Sequence, residues 1–208
     1  SPIRKEDVLY DDKCVIVPPN IRIEKANYIF DVVLPWGTNV YQITYQRCCR
    51  NATLNNIENP DQTGDAFSVE IFGNSIENCN NSPVFNKFPP ILICNQKALN
   101  FDHSASDLEG DKLEYEFCAP IQAGGTDGAT TPGTATSCTG VTPLPINCLP
   151  PFAEVVYSAG YSASNPMGGS PQISIDPTTG IITGTPNVLG QFVVGVCVKK
   201  KKNGVQIG

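Results

Sequence analysis

The sequence predicts an all-β protein made of two tandem β-sandwich domains stapled by disulfides. Three observations support this. Eighteen Gly and eighteen Pro are spread along the 208 residues and divide the chain into short segments. No stretch of about 12 residues keeps a helical period. Hydrophobic residues make up 40% of the chain, which is enough to bury a core, and nine cysteines supply cross-links.

Short β-type runs fill the N-terminal part, of which residues 40–47 alternate most clearly. These runs are residues 14–17, 21–26, 28–34, 40–47 and 67–72. Residues 50–58 are predicted to form either a short helix or an irregular connection. Around residues 78–90 the composition shifts to Asn, Ser and Pro, which favours an extended connector. We therefore expect the domain boundary between residues 81 and 82, giving domains 1–81 and 82–208.

The second domain is predicted to contain seven strands separated by turn signals, as is typical of an immunoglobulin-like or cadherin-like sandwich. They are residues 91–94, 100–103, 112–118, 154–158, 172–176, 181–185 and 191–198. A Gly/Thr/Pro-rich insert, residues 122–151, separates the third run from the fourth. We expect Cys138 and Cys148 to tie down this insert, either to each other or to the domain body.

The cysteines predict an oxidising, extracellular compartment. They show no C-x-x-C spacing and His103 is the only histidine, so a structural zinc site is not expected. The candidate disulfide residues are Cys14, Cys48, Cys49, Cys79, Cys94, Cys118, Cys138, Cys148 and Cys197. The adjacent Cys48 and Cys49 point to opposite faces of an extended strand, which favours two different partners. Strand position suggests a Cys94–Cys197 pair, although sequence does not fix connectivity.

An acidic turn is the candidate metal site. Asp107, Glu109 and Asp111 stand at alternate positions around Gly110, between two β-type runs. Calcium takes carboxylate oxygens on such loops. Acidic residues beside a Gly also form ordinary turns, so both interpretations stay open. No organic cofactor is expected, because the Gly pairs lie in loops without a following helix that could cradle a phosphate.

Three motifs resemble, in their order, those of cadherin repeats: residues 80–85 (NNSPVF), 105–111 (ASDLEGD) and 175–180 (IDPTTG). Dystroglycan-type cadherin-like domains are more similar still, because the third motif runs on into Gly-Thr-Pro at residues 184–186. The resemblance implies calcium held by Asp107, Glu109 and Asp111. The residues that would complete its shell are Asn80, Asn81 and Asp102. Cadherins place more carboxylates where this chain has its Asn pair, which lowers the charge available to the ion.

A second resemblance spans nearly the whole chain. Residues 45–53 (YQRCCRNAT), together with 82–85 (SPVF), 88–91 (FPPI), 101–105 (FDHSA) and 190–196 (GQFVVGV), are similar to large surface proteins of Bacteroidetes. These include gliding-motility adhesins of the SprB type, exported by the type IX secretion system. The resemblance implies one segment of a long filament or adhesin at the outer-membrane surface. Its expected partners are neighbouring domains of the same chain and a surface polysaccharide or other adhesion target.

Charge and hydropathy exclude other function classes. The net charge is −6, the pI is near 4.7 and no basic stripe occurs, so no nucleic-acid partner is expected. No apolar run approaches the roughly 20 residues that cross a bilayer, so this segment is not expected to insert into a membrane. Four consecutive lysines, residues 199–202, are predicted to form the solvated face of an edge strand.

Catalysis is not expected. Asp102, His103 and Ser104 contain the side chains of a hydrolase triad, but consecutive strand residues alternate in direction and cannot form a convergent proton relay. The alternative function is a carbohydrate-binding module of a secreted protein. Trp36, on a predicted turn between Pro and Gly, could stack on a sugar, or it could pack in a core.

Overall fold

The computed structural model describes residues 4–7, 22–25, 27–35, 37–47, 50–73, 80–90, 92–124 and 149–208. In the part before residue 81, the strands are β1 (Arg4–Asp7), β2 (Arg22–Lys25), β3 (Val40–Arg47) and β4 (Asp65–Phe72), with a 3-10 helix at Pro60–Gln62. The strands after it are β5 (Val84–Phe85), β6 (Leu99–Asp102), β7 (Ala105–Ser106), β8 (Lys112–Cys118), β9 (Ile121–Gln122), β10 (Ala153–Glu154), β11 (Ser174–Ile175), β12 (Ile181–Gly184), β13 (Gly195–Lys202) and β14 (Val205–Gln206). The all-β prediction is confirmed for these residues.

Within the described ranges the strands pair antiparallel in five small sheets. The largest has the order β10-β9-β4-β3, two sheets have three strands (β11-β12-β6 and β14-β13-β8), and β1-β2 and β5-β7 form two-stranded pairs. The ladder between β3 and β4 runs over eight residue pairs, and that between β8 and β13 over seven. The arrangement of two tandem immunoglobulin-like sandwiches stays a prediction, as does the boundary after residue 81. The four-stranded sheet nevertheless joins strands from both sides of that boundary, because Ala66 pairs with Ile121.

Residues 50–58 form an irregular connection that is attached to the second half of the chain. Leu54 makes an isolated parallel bridge to Gln191, and Ile57 makes an antiparallel one to Tyr157. Further on, Gly64 lies so close to the carbonyl oxygen of Ala123 that a Cβ at this position would be 1.4 Å from it. Only glycine permits such an approach between two backbones. The contacts along this segment therefore bind it to residues more than fifty positions away.

Among the residues that the structure describes, the buried apolar core is thin and distributed. Ala66 and Ala123 form a small cluster against which Ile121 and Phe152 pack. Tyr115, on β8, is buried elsewhere, and its hydroxyl accepts a hydrogen bond from the backbone N–H of Ala105 at 2.9 Å. Because each cluster buries little apolar volume, buried polar contacts and cross-links contribute a larger part of the stability of the structure.

Several predicted strands differ from those observed. The runs at 40–47 and 112–118 are confirmed to the residue, and those at 67–72, 100–103, 172–176, 181–185 and 191–198 are confirmed with shifted ends. Residues 28–34 form no strand, and Ile29 and Val33 are 91% and 95% exposed. Residues 92–94 are likewise not a strand, and of the run predicted at 154–158 only Glu154 lies in a strand, β10. A β-type sequence pattern is not sufficient to form a strand, because the backbone of a strand also needs a neighbouring strand to hydrogen-bond with. The run at 14–17 lies outside the described residues.

Candidate functional site

The acidic turn connects β7 to β8 and brings its three carboxylates together. Gly110 has a φ of +73°, which glycine adopts without strain, and its N–H donates to the carbonyl oxygen of Asp107 at 3.3 Å. One oxygen from each of Asp107, Glu109 and Asp111 lies within 4.8 Å of the others. The alternate spacing read from the sequence thus becomes a convergent set of hard oxygen ligands, of the kind that binds calcium.

The ammonium group of Lys200 lies at the centre of these carboxylates. Its Nζ is 2.5 Å from Asp107 Oδ1, 2.7 Å from Glu109 Oε2 and 3.2 Å from Asp111 Oδ2. The lysine side chain is fully buried, whereas those of Asp107 and Asp111 are 2% and 10% exposed. We refer to Asp107, Glu109, Asp111 and Lys200 as the ion cluster. With three carboxylates and one ammonium, its formal charge at neutral pH is −2.

Of the three residues expected to complete a calcium shell, Asn81 contacts the ion cluster. Its carbonyl oxygen accepts a hydrogen bond from Lys200 Nζ at 3.1 Å, and its side-chain amide donates to Glu109 Oε1 at 2.5 Å. Asp102 instead accepts from the backbone N–H of Ser104 at 3.1 Å and pairs loosely with Lys87. The described contacts of the ion cluster include neither Asn80 nor Asp102.

The pKa values within the ion cluster reflect this packing. Burial lowers the pKa of Lys200, but the close contacts of its ammonium with the three carboxylates outweigh burial and raise the pKa above its ordinary value. The hydrogen bond from Lys200, followed by that from Asn81, lowers the pKa of Glu109 to about 2. The lysine therefore stays protonated and Glu109 stays ionised throughout the physiological pH range.

The prediction of a solvated face for residues 199–202 is wrong for Lys200. Side chains alternate along β13, so Lys199 and Lys201 lie on one face of the strand and Lys200 on the other. The first two pair with Glu116 and Glu114 on β8, at 2.6 and 2.5 Å, and stay partly exposed. Lys200 shares its face with the apolar side chains of β13 and is held between the sheet and the acidic turn.

A disulfide joins β8 to β13. Cys118 bonds Cys197 with a Cα–Cα distance of 5.8 Å. In the ladder Cys118 faces Gly195, so the two cysteines are diagonal neighbours on adjacent strands. The predicted Cys94–Cys197 pair is wrong, because Cys197 is already bonded within this ladder. Cys94 is itself disulfide-bonded. The other cysteines, including the predicted Cys138–Cys148 pair, lie outside the described residues.

Asp102, His103 and Ser104 do not form a proton relay. The imidazole of His103 stacks on the ring of Phe85 at 4.3 Å and lies beside Phe101 at 5.5 Å. The side chain is 7% exposed, and its burial lowers the pKa of His103, opposed in part by the charge of Asp102. Asp102 accepts from the backbone N–H of Ser104 and pairs with Lys87, so its described contacts do not orient the imidazole.

Two structural residues were missed by sequence reasoning. Asn56 is fully buried and donates to the carbonyl oxygens of Pro166 and Val193, while its own oxygen accepts from the N–H of Val193. Arg50 is 6% exposed, pairs with Asp65 at 2.6 Å and donates to the carbonyl oxygen of Ile121 at 3.0 Å. Arg50 belongs to the unusual Arg-Cys-Cys-Arg-Asn run, which was the available signal, whereas nothing local distinguishes Asn56 from the neighbouring asparagines.

Exposed aromatic side chains lie on one face of the β3–β4 pair. Tyr45 and Phe67 face each other in the ladder with ring centroids 6.5 Å apart, and Tyr28 continues the row 6.2 Å from Tyr45. Tyr28, Tyr45 and Phe67 are 75%, 47% and 63% exposed. Trp36, the candidate for either sugar stacking or core packing, lies outside the described residues.

Among the described residues, no helix combines the length and hydropathy that a membrane crossing requires. Comparison of the chain with protein-family models, with curated proteins and with solved structures finds no match in any of the three.

Proposed function

We propose that this chain is a structural segment of a long extracellular protein, an adhesin or filament at the cell surface, and that its task is to resist and transmit force. The observation that carries the proposal is the Cys118–Cys197 disulfide across the β8–β13 ladder. Disulfides persist in oxidising compartments, and this one connects two strands directly, where it prevents them from separating. A third disulfide-bonded cysteine, Cys94, supports the same location.

The rest of the second half fits a rigid spacer. The ion cluster fixes the acidic turn to β13 and, through Asn81, to the preceding connector. The later turn is closed by Asp176, whose Oδ1 accepts hydrogen bonds from the backbone N–H groups of Thr178 and Thr179. Turns pinned by side chains limit hinge motion, so that a pull on one end is passed along the sheets. The more specific role, in gliding motility or attachment of a Bacteroidetes cell through a type IX-secreted protein, rests on the sequence resemblance.

Cells that produce the full-length protein provide the test. We expect a membrane-impermeant amine label to reach the segment on intact cells, and attachment to a surface to fail at lower shear when Cys118 and Cys197 are both replaced by Ser. A Lys97→Ser variant, at an exposed loop position, is the matched control and should attach normally. Protein that is made but not labelled from outside would refute the location. Attachment that is unchanged when the whole protein is deleted would refute the adhesive role.

Carbohydrate binding is the second candidate, and the exposed row of Tyr28, Tyr45 and Phe67 favours it. Flat rings exposed at this spacing offer apolar faces on which sugar rings can stack. Glycan arrays probed with the intact chain and with Tyr45→Ala and Trp36→Ala variants separate the two functions. Binding to a defined glycan that either variant loses supports the binding module, and no binding by the intact chain refutes it.

A further inference from the structure

The ion cluster contains the donor set of a divalent-cation site, but its centre is filled. Four oxygens approach one point from two segments of chain: one carboxylate oxygen each from Asp107, Glu109 and Asp111, and the carbonyl oxygen of Asn81. Anionic and carbonyl oxygens on a turn containing glycine are the ligands that calcium takes in proteins. All four oxygens contact the ammonium of Lys200.

A second observation is a buried carboxylate oxygen without a hydrogen-bond partner. The side chain of Asp107 is 2% exposed, yet its Oδ2 has no hydrogen-bond partner among the described residues. Buried carboxylate oxygens are ordinarily hydrogen-bonded, because their desolvation is otherwise costly. An unpartnered oxygen on a carboxylate that pairs with a buried ammonium is what remains when a cation with more coordination positions is replaced by an ammonium with three N–H donors.

We propose that Lys200 is a tethered substitute for a divalent cation: its ammonium occupies the centre of a calcium-type cage, so that the protein carries its own cation and takes up calcium there only when this lysine is shortened. This inference holds whether or not the chain has the mechanical function proposed above. It also differs from the calcium site expected from the sequence, because it predicts that the unaltered protein is indifferent to calcium.

Geometry and tethering explain why the lysine excludes the metal. Calcium would need oxygens at about 2.3–2.6 Å, and Lys200 Nζ already lies 2.5 and 2.7 Å from two of them. Both cations cannot share this centre, because their charges would be only a few ångströms apart. The backbone of Lys200 is fixed by hydrogen bonds with Gly208 and Ile207, so the ammonium is present at the site at a high effective concentration.

The net charge of the ion cluster favours calcium binding once the ammonium of Lys200 is removed. Three carboxylates and one ammonium sum to −2, whereas the same carboxylates with one calcium ion sum to −1. Truncation of Lys200 leaves three carboxylates, two of them at most 10% exposed, without any counter-charge. Such a cluster is expected to be unstable alone and to bind a small divalent cation. The expected result is therefore a protein whose folding depends on calcium.

The experiment uses the full chain, calcium ions and a chelator. Thermal unfolding and calorimetric titration with calcium are compared for the unaltered protein, for Lys200→Ala and for Lys201→Ala. The last is the matched control, because Lys201 is the next residue of β13 but pairs with Glu114 on the other face. We expect equal midpoints with millimolar calcium and with chelator for the unaltered protein and for the control. In chelator, the unfolding midpoint of Lys200→Ala should be lower than that of the unaltered protein, and calcium should raise it. The calorimetric titration should give this variant a calcium affinity at least about tenfold above that of the unaltered protein.

A Lys200→Met variant guards against failure of Lys200→Ala to fold, because it keeps most of the apolar stem and removes only the ammonium end. It should likewise gain calcium binding, and an additional Asp107→Asn change should abolish that binding. Calcium stabilisation of the unaltered protein that Asp107→Asn removes would overturn the proposal, since the metal would then displace the lysine. Folded Lys200→Ala and Lys200→Met proteins that ignore millimolar calcium would also overturn it.

Discussion

Replacement of Asn56 by Asp tests how strongly a single buried amide holds the irregular segment to the second half of the chain. The side chain is fully buried and donates to the carbonyl oxygens of Pro166, at 2.8 Å, and Val193, at 2.7 Å. It also accepts from the N–H of Val193 at 3.0 Å. An ionised Asp has nearly the same shape and keeps the acceptor, but it loses both donors and places a negative charge against two carbonyl oxygens.

The magnitude follows from the groups left unpaired. Each buried polar group that is left without a hydrogen-bond partner lowers the free energy of unfolding by about 1–3 kcal/mol. In Asn56→Asp, the carbonyl oxygens of Pro166 and Val193 both lose the donor that the amide provided. Burial of the new charge adds to this, so the expected loss is about 4 kcal/mol at neutral pH. With a urea dependence of about 1–3 kcal/mol per molar, the midpoint of unfolding should fall by at least about 1 M.

Urea unfolding followed by circular dichroism provides the assay. The matched control is Asn55→Asp, because Asn55 is exposed and its Oδ1 acts as an acceptor for the N–H of Gln191 at 3.1 Å, a role that a carboxylate keeps. Its expected change is within about 0.5 kcal/mol. Equal effects of the two substitutions, or a loss below about 1 kcal/mol at Asn56, would refute the reasoning.

Three further predictions concern other contacts, each measured by chemical or thermal unfolding. Arg50→Met should lower the free energy of unfolding by about 2–3 kcal/mol, because it leaves a partly buried Asp65 without its ion-pair partner. Lys87→Met breaks an exposed ion pair and should lower it by less than about 0.5 kcal/mol. Equal losses for the two variants would contradict this prediction. The folded state lowers the pKa of Glu109 from 4.5 to about 2, so the stability that this carboxylate contributes is fully present above pH 4.5. That stability is lost as the pH falls toward 2, and the thermal midpoint of unfolding should decline over the same window. A midpoint that stays constant there would be contrary evidence. Gly64→Ala should destabilise by about 3 kcal/mol, since the added methyl overlaps a backbone carbonyl, and a neutral effect would show that the two segments separate easily.

The regular strands were accessible from sequence where local and tertiary signals agree. Val40–Arg47 and Lys112–Cys118 are bounded by turn residues, alternate in polarity and have a partner strand in the structure, and both were predicted to the residue. Residues 28–34 carry an equally strong β-type composition but form no ladder. Pairing is a property of two segments, so a single-segment pattern cannot establish it.

The candidate site shows a similar division. The convergence of Asp107, Glu109 and Asp111 followed from their alternation around Gly110, whereas the occupant of the centre did not. Lys200 is 91 residues beyond Glu109 in the chain, and only the fold brings them together. A signal was present, because Val196, Val198 and Lys200 occupy alternate positions and so share one face of the strand. A lysine in the apolar register of a strand points to a buried counter-charge.

Single-molecule stretching from the two ends of the chain tests the central claim, that a disulfide-locked sheet resists force, most directly. Cys118 and Cys197 are 79 residues apart, so the intact bond should shield that loop and shorten the fully stretched length by about 28 nm, at about 3.6 Å per residue. We predict this difference between the unaltered protein and a Cys118→Ser/Cys197→Ser variant, together with a lower unfolding force in the variant. Equal extensions and equal forces for the two proteins would contradict the account.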